Sequence, residues 1–264
     1  MLYNLIFNLI IIHIICDFYL QTSSTCENKI LLSVKGKALW THTALVGLLT
    51  WAVVWDINGW WLALSIAVAH FLIDWIKSFF ELKYKVYVIN KEDNKILDGV
   101  NRRYDLNFFL FDQFVHIGFI FLISCIWFNI NDTWTQFQWL QNLIYKYPLE
   151  IYTIIALLIV IKPVNILILQ ILRYCKLENN KDNCHYENFH AGAIIGYSER
   201  ILMTIFIILS QYQALGFLIA AKSILRFTEA SSGNTKSEYV LTGTLLSLVF
   251  SLVLGLCVIN APTI

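Results

Sequence analysis

Seven side chains able to bind a metal ion fall inside four apolar segments of this sequence. Histidine nitrogens and aspartate oxygens are ligand atoms that zinc and manganese take from proteins. In three segments a histidine and an aspartate stand four residues apart, and one further histidine stands alone near the start of the second segment. The candidate metal ligands are His13, Asp17, His42, His70, Asp74, Asp112 and His116.

The four-residue spacing matters because residues i and i+4 lie on the same face of an α-helix, one turn apart. Two such side chains can reach one ion, as the paired histidines of zinc metalloproteases do. Seven ligands exceed the four of one tetrahedral zinc, so the pattern predicts two divalent ions about 3.5–4 Å apart. We expect zinc, with manganese as the alternative, and Asp17, Asp74 or Asp112 as the bridging ligand.

A second interpretation needs no metal, since a single His–Asp pair within a membrane can be a hydrogen bond between helices. Three pairs together with His42 at one depth favour metal. An aspartate at membrane depth costs roughly 2.5–3.5 kcal/mol unless a partner compensates its charge. His185 and His190, which flank a loop next to Cys184, are interpreted instead as solvated loop residues.

The segments that hold these residues are long and apolar. Of the 264 residues, 58% are hydrophobic and 14% are charged, whereas soluble proteins carry about 25% charged residues. A bilayer core requires about 20 apolar residues in a helix. The sequence therefore predicts an all-α, polytopic transmembrane helix bundle of about eight spans, at residues 2–20, 37–55, 60–80, 105–129, 148–173, 190–211, 212–230 and 237–260.

Charge distribution predicts how these spans are oriented. Lysine and arginine concentrate in the first, third, fifth and seventh connections, which places those connections in the cytoplasm and both termini outside a bacterial inner membrane. All seven candidate ligands then lie in the cytoplasmic leaflet. The net charge of +1 gives no argument for a nucleic-acid partner, and the six cysteines include no CxxC pair, so no disulfide framework is expected.

The chain divides near the polar stretch at 130–147 into halves of one membrane domain, 1–129 and 130–264. The second half carries charged residues within its apolar segments. They favour either ion pairs, such as Glu199 with Lys222, or a cationic pocket for a phosphorylated substrate. Gln21 lies one turn beyond Asp17. The candidate substrate-binding residues are Gln21, Glu199, Arg200, Lys222 and Arg226, and a kink is expected at Pro163.

Several runs of the sequence resemble a known family. HIICDFYLQT, His42, HFLIDWIK and DQFVH are similar to a bacterial integral membrane family catalogued as domain of unknown function 3307. GAIIGYSERIL, AAKSILRF and EYVLTGTLLS are similar to the C-terminal extension of its longer members. The resemblance implies a bacterial membrane protein and brings no activity with it.

A looser similarity is to zinc-dependent phospholipase C and to inner-membrane metal-dependent hydrolases. His70 and Asp74 match the HxxxD element of those enzymes, whereas Asp112 and His116 stand in the reverse order.

These observations predict a metal-dependent hydrolase of a phosphoester, with a membrane lipid as the expected substrate, at the cytoplasmic leaflet. Bound metal lowers the pKa of a water and polarises a phosphoryl oxygen. Asp17 or Asp112 is the expected general base. Two alternatives remain open from sequence: a transporter of divalent metal or protons, and a non-catalytic membrane component held together by metal or ion pairs.

Overall fold

The computed structural model of the protein describes residues 2–22, 25–26, 28–29, 33–54, 59–89, 94–130, 146–175, 191–227 and 234–261. Regular structure in these ranges is entirely helical. Six helices are long and apolar enough to cross a bilayer, at Leu2–Tyr19, Lys37–Val54, Trp60–Glu81, Leu106–Asn129, Pro148–Tyr174 and Leu241–Ile259. An all-helical integral membrane protein is thus supported, while the predicted count of eight spans is not confirmed.

The helices fall into two compact units, Met1–Asn142 and Leu143–Ile264. In the first unit, α1 (Leu2–Ile14) continues into a π-helical turn (Ile15–Tyr19), and a short 3₁₀ turn (Ser33–Lys35) precedes α2 (Lys37–Val54), α3 (Trp60–Ile89) and α4 (Asn94–Ile130). The second unit contains α5 (Pro148–Ile161), α6 (Pro163–Tyr174), α7 (Ala191–Ile208), α8 (Tyr212–Phe227) and α9 (Asn234–Ile259). The division after residue 129 drawn from sequence remains a prediction.

The first unit is a ring of four helices in which α1 packs against α2 and α4, and α3 packs against the same two. Leu5, Leu9 and Ile12 recur on one face of α1 and form the core with residues of the other three helices. Large apolar side chains such as Phe111 and Phe114 point outward and are exposed. This arrangement suits a bundle in lipid, where the outer surface is apolar and polar side chains are buried inside.

In the second unit, the long apolar helix is interrupted at Lys162, between α5 and α6, which confirms the predicted kink. Pro163 has no N–H to offer the carbonyl one turn earlier. Arg200 of α7 reaches into this break: Nε donates to the Val160 carbonyl at 3.2 Å and Nη2 donates to Asn165 Oδ1 at 2.9 Å. The buried guanidinium therefore satisfies backbone and amide acceptors at the interruption.

A tight turn joins α7, which ends at Ile208, to α8, which begins at Tyr212. Two hydrogen bonds close the turn: Gln211 N–H donates to the Phe206 carbonyl at 2.7 Å, and Ser210 N–H to the Ile207 carbonyl at 2.9 Å. This pattern is a Schellman motif, whose C′ residue adopts a left-handed conformation. Ser210 does so with φ 57°, in a position that glycine usually takes.

Candidate metal centre

The backbone of the first unit aims the candidate ligands inward from all four helices. His42 lies on α2, His70 and Asp74 on α3, and Asp112 and His116 on α4. The two ligands of the first span lie in different types of helix: His13 is in α1, and Asp17 is in the π-helical turn that follows it. The turn is closed by a hydrogen bond from Leu20 N–H to the Ile15 carbonyl at 3.0 Å. Single π-turns inside helices occur frequently at functional sites.

The seven predicted ligands meet in one buried cluster. Each of their side chains is at most 9% exposed. Their ligand atoms form three overlapping groups in which every atom lies within 4.8 Å of the others: His13, Asp17 and His70; His42, His70 and Asp74; and Asp74, Asp112 and His116. Asp74 and His70 each belong to two of these groups.

Two imidazole nitrogens and two carboxylate oxygens lie close together at the centre of the cluster. His42 Nε2 and His70 Nε2 are 2.9 Å apart. Asp17 Oδ1 lies 3.3 and 3.4 Å from these two nitrogens, and Asp74 Oδ2 lies 3.7 and 3.6 Å from them. Zinc–nitrogen and zinc–oxygen bonds of ~2.0–2.1 Å give tetrahedral edges of about 3.3–3.4 Å. The four nitrogen–oxygen distances of 3.3–3.7 Å are close to these edges, and the 2.9 Å between the two nitrogens is a hydrogen-bond distance.

A second group forms around the other oxygen of Asp74. His116 Nε2 lies 3.9 Å from Asp74 Oδ1, and His116 Nδ1 lies 3.4 Å from Asp112 Oδ1. The His13 ring stacks on the His116 ring with centroids 5.0 Å apart. The two oxygens of Asp74 therefore face different sets of candidate ligands.

Hydrogen bonds outside the cluster determine the tautomers of His13 and His116 when these rings are neutral. His13 Nε2–H donates to Gln113 Oε1 at 3.2 Å, and His116 Nδ1–H donates to the Asp112 backbone carbonyl at 2.9 Å. The remaining nitrogens, His13 Nδ1 and His116 Nε2, then face the cluster unprotonated. Metal-binding histidines in proteins are usually held in this way by a second partner.

Four buried atoms of the cluster have no hydrogen-bond partner among the described residues: His13 Nδ1, Asp17 Oδ1, Asp112 Oδ1 and His116 Nε2. All four are acceptors when the histidines are neutral and the aspartates ionised. Buried acceptors without donors cost free energy. A divalent cation is the partner that would satisfy several of them at once.

Two lysines also contact the cluster. Lys29 Nζ lies 2.5 Å from Asp74 Oδ2, and Lys77 Nζ lies 2.8 Å from Asp112 Oδ2. Gln113 Nε2 donates a further bond to Asp112 Oδ2 at 3.2 Å. Within the described part of the chain, no lysine or arginine pairs with Asp17. Sequence analysis counted Lys29 only as one of the positive charges of the first connection and did not consider Gln113, since neither residue stands at a ligand spacing.

The other predicted site residues lie elsewhere or have other partners. Gln21 is half-buried just beyond the π-helical turn. In the second unit Glu199 and Lys222 form an ion pair, as one of the two sequence alternatives expected. Arg200 bonds to the kinked helix, and Arg226 lies on α8 with Lys222.

His185 and His190 lie outside the described residues. A substrate-binding role remains a prediction for Gln21, Glu199, Arg200, Lys222 and Arg226.

The comparisons with known proteins agree with the position of the cluster in the first unit. Residues 5–145, just over half of the 264, match the family described as "Protein of unknown function (DUF3307)". The chain belongs to this family, and all seven candidate ligands lie within the matched region. No curated protein and no solved structure matches the chain. The looser similarity to zinc-dependent phospholipase C and inner-membrane hydrolases is therefore not supported.

Proposed function

We propose that the first unit binds divalent metal at the His–Asp cluster and hydrolyses a phosphoester, with a lipid at the cytoplasmic leaflet as substrate. The observation that carries the proposal is the set of four buried acceptor atoms without donors, His13 Nδ1, Asp17 Oδ1, Asp112 Oδ1 and His116 Nε2. No hydrogen bond among the described side chains reaches these four atoms in this structure, and a divalent cation would satisfy several of them together.

In this proposal the cluster would hold two zinc or manganese ions. His42, His70, Asp17 and one oxygen of Asp74, whose atoms lie 2.9–3.7 Å apart in five of their pairs, would hold the first. The other oxygen of Asp74 would hold the second with His116 and His13, and Asp112 would face this ion with a carboxylate that can serve as ligand or as base. A two-metal site can generate a hydroxide at neutral pH and stabilise the attacking and leaving oxygens of phosphoryl transfer.

Of the two expected general bases, Asp112 fits the geometry better. Lys77 and Gln113 both donate to its Oδ2, which fixes the carboxylate while Oδ1 stays unpaired. Asp17 Oδ1 lies instead at ligand distance from two imidazole nitrogens. A carboxylate that is not saturated by metal can accept the proton of the attacking water.

The depth of the cluster favours a substrate that enters from lipid. His42 and Asp112 lie five and six residues inside the nearer ends of the spans Lys37–Val54 and Leu106–Asn129, or ~7–9 Å at 1.5 Å per residue. A lipid phosphoester can reach this depth, whereas a soluble substrate must leave water. The Lys77 side chain, 32% exposed and paired with Asp112, supplies a cation that a phosphate could contact.

The orientation predicted from sequence, with eight spans in the bacterial inner membrane and both termini outside, is part of the proposal. We expect a membrane-impermeant thiol reagent, applied to intact cells, to modify Ala261→Cys but not Lys35→Cys. Both variants are made in a chain whose native cysteines are replaced by alanine. Labelling of Lys35→Cys from outside would reverse the orientation and place the cluster in the other leaflet.

The metal itself is tested on detergent-purified wild-type protein by mass spectrometry of bound metals. We expect close to two equivalents of zinc or manganese per chain, and hydrolysis of at least one member of a panel of phospholipids and soluble phosphoesters. Protein stripped with a chelator should lose this hydrolysis and regain it when the metal is restored. Absence of bound metal, even after reconstitution with zinc and manganese, would exclude the proposal.

A divalent-cation carrier is the second candidate, favoured by the burial of all seven ligands. In that case metal-loaded protein leaves the whole panel intact, while proteoliposomes containing it take up zinc or manganese. Bound metal without either activity would indicate that the ions only stabilise the helix bundle.

A further inference from the structure

Lys29 is buried although its surroundings are exposed. It lies on the connection between α1 and α2, where Asn28 and Cys26 are exposed, yet only 6% of the Lys29 surface is accessible. Its ammonium contacts Asp74 Oδ2 at 2.5 Å, across 45 residues of sequence. A buried lysine is stable only when its charge is paired, so this contact determines where the side chain lies.

The oxygen that Lys29 contacts is the one that faces the first group of ligands. Asp74 Oδ2 lies 3.6 Å from His70 Nε2 and 3.7 Å from His42 Nε2. A divalent ion bound by these atoms would be an immediate neighbour of the ammonium. Like charges at such a distance repel strongly in a poorly hydrated site, so the ion and the ammonium compete for one carboxylate oxygen.

Charge balance favours exchange of Lys29 for a divalent ion. With neutral histidines, the three carboxylates of the cluster and the ammoniums of Lys29 and Lys77 leave a net charge of −1. Exchange of Lys29 for the first divalent ion brings the net charge to zero, before the second ion binds. Exchange for a monovalent ion leaves it at −1 and gains nothing.

We infer that Lys29 is the resident cation of the cluster, exchanged for divalent metal, and that it thereby determines both the metal affinity and the preference for divalent ions. The inference rests on the proposed metal site. Metal binding releases the Lys29 ammonium from Asp74, and the site without metal is held together by this lysine.

The first test measures zinc affinity of the full chain by competition with a chromophoric chelator. Lys29→Met removes the competing charge and keeps the aliphatic side chain, so zinc should bind at least tenfold more tightly, equivalent to about 1.4 kcal/mol. Lys35→Met is the matched control. Lys35 is exposed on the same connection and its loss changes the net charge equally, so its effect should stay below threefold.

The second test uses wild-type protein and does not depend on the folding of a variant. Amines are acylated with and without saturating zinc, and modification of each lysine is measured by peptide mass spectrometry. Lys29 should be protected in the metal-free protein and modified at least fivefold more in the zinc-bound protein. Lys35 should react equally in both.

The outcomes separate this inference from the proposed function. If zinc binds but Lys29→Met has unchanged affinity, or if Lys29 stays protected with zinc bound, the exchange is disproved and the metal site stands. If neither wild type nor Lys29→Met binds zinc, the metal site itself is disproved. If Lys29→Met does not fold, the acylation result in the wild type decides.

Discussion

The His70→Ala, Asp74→Ala double variant is expected to lose metal binding and to hydrolyse phosphoesters no faster than the metal-free protein. Both residues belong to two of the three ligand groups, so their removal disrupts every proposed metal position at once. Loss of a partner in the outer shell of a metal site already costs about 10–100-fold in affinity. Loss of two direct ligands should cost at least about 100-fold. Metal content and hydrolysis are measured on the same preparation.

Two control variants distinguish the loss of metal ligands from unfolding of the protein. Ser124→Ala removes a buried polar group of α4 that bonds only within its own helix, to the Ile120 carbonyl at 2.7 Å, and it should keep both metal and activity. His70→Gln, Asp74→Asn keeps the side-chain volumes and should fold with no metal bound. Full metal content in a folded double variant would contradict the proposed ligands.

Replacement of Gly255 by alanine is expected to destabilise the second unit by about 2–3 kcal/mol. A Cβ at this position would lie 2.5 Å from Ile207 Cγ2 and 2.9 Å from Ile207 Cβ, on the facing helix α7. Carbon atoms pack at about 3.5–4.0 Å, and Ile207 is 1% exposed with no room to move aside. The helices α7 and α9 must therefore separate. Unfolding in detergent, followed by circular dichroism, measures the loss.

The same substitution elsewhere on α9 provides the control. At Gly243 a Cβ would make an ordinary contact of 3.6 Å with Leu172 Cδ1. Gly243→Ala should therefore stabilise the helix by roughly 0.5–1 kcal/mol, because alanine loses less backbone entropy on folding. Opposite signs for the two changes are the expected result. Equal effects would show that Gly255 does not limit the approach of the helices.

Sequence periodicity was sufficient to find the seven clustered side chains. His–Asp pairs at i and i+4 can be recognised in any segment that is predicted to be helical. A charged residue in an apolar segment indicates a function, because burying its charge in the membrane costs free energy. Lys29 and Gln113 could not be found in this way. Lys29 approaches Asp74 through the path of a connection, which has no periodicity, and Gln113 matters only because the α1 and α4 helices are neighbours.

The positions at which small residues allow two helices to pack closely could not be predicted from the sequence either. The spacing of Gly192 and Gly196 is typical of close helix contact, yet a Cβ at Gly196 would meet only Arg200 Nη1, on its own helix, at 3.3 Å. The tight approach is at Gly255, which stands without a second glycine four residues away.

Because of the π-helical turn at Ile15–Tyr19, the positions of the side chains in the first span depend on the number of residues in it. A π-turn accommodates one residue more than the α-helix around it. Deletion of any one residue there would replace the turn by regular α-helix of similar hydropathy, and it would change the angle between the side chains before the turn and those within it. Either the apolar face of Leu5 and Leu9 or the carboxylate of Asp17 would then leave the interior. In this stretch the number of residues is as restricted as their identity, and insertions or deletions should be tolerated less than substitutions.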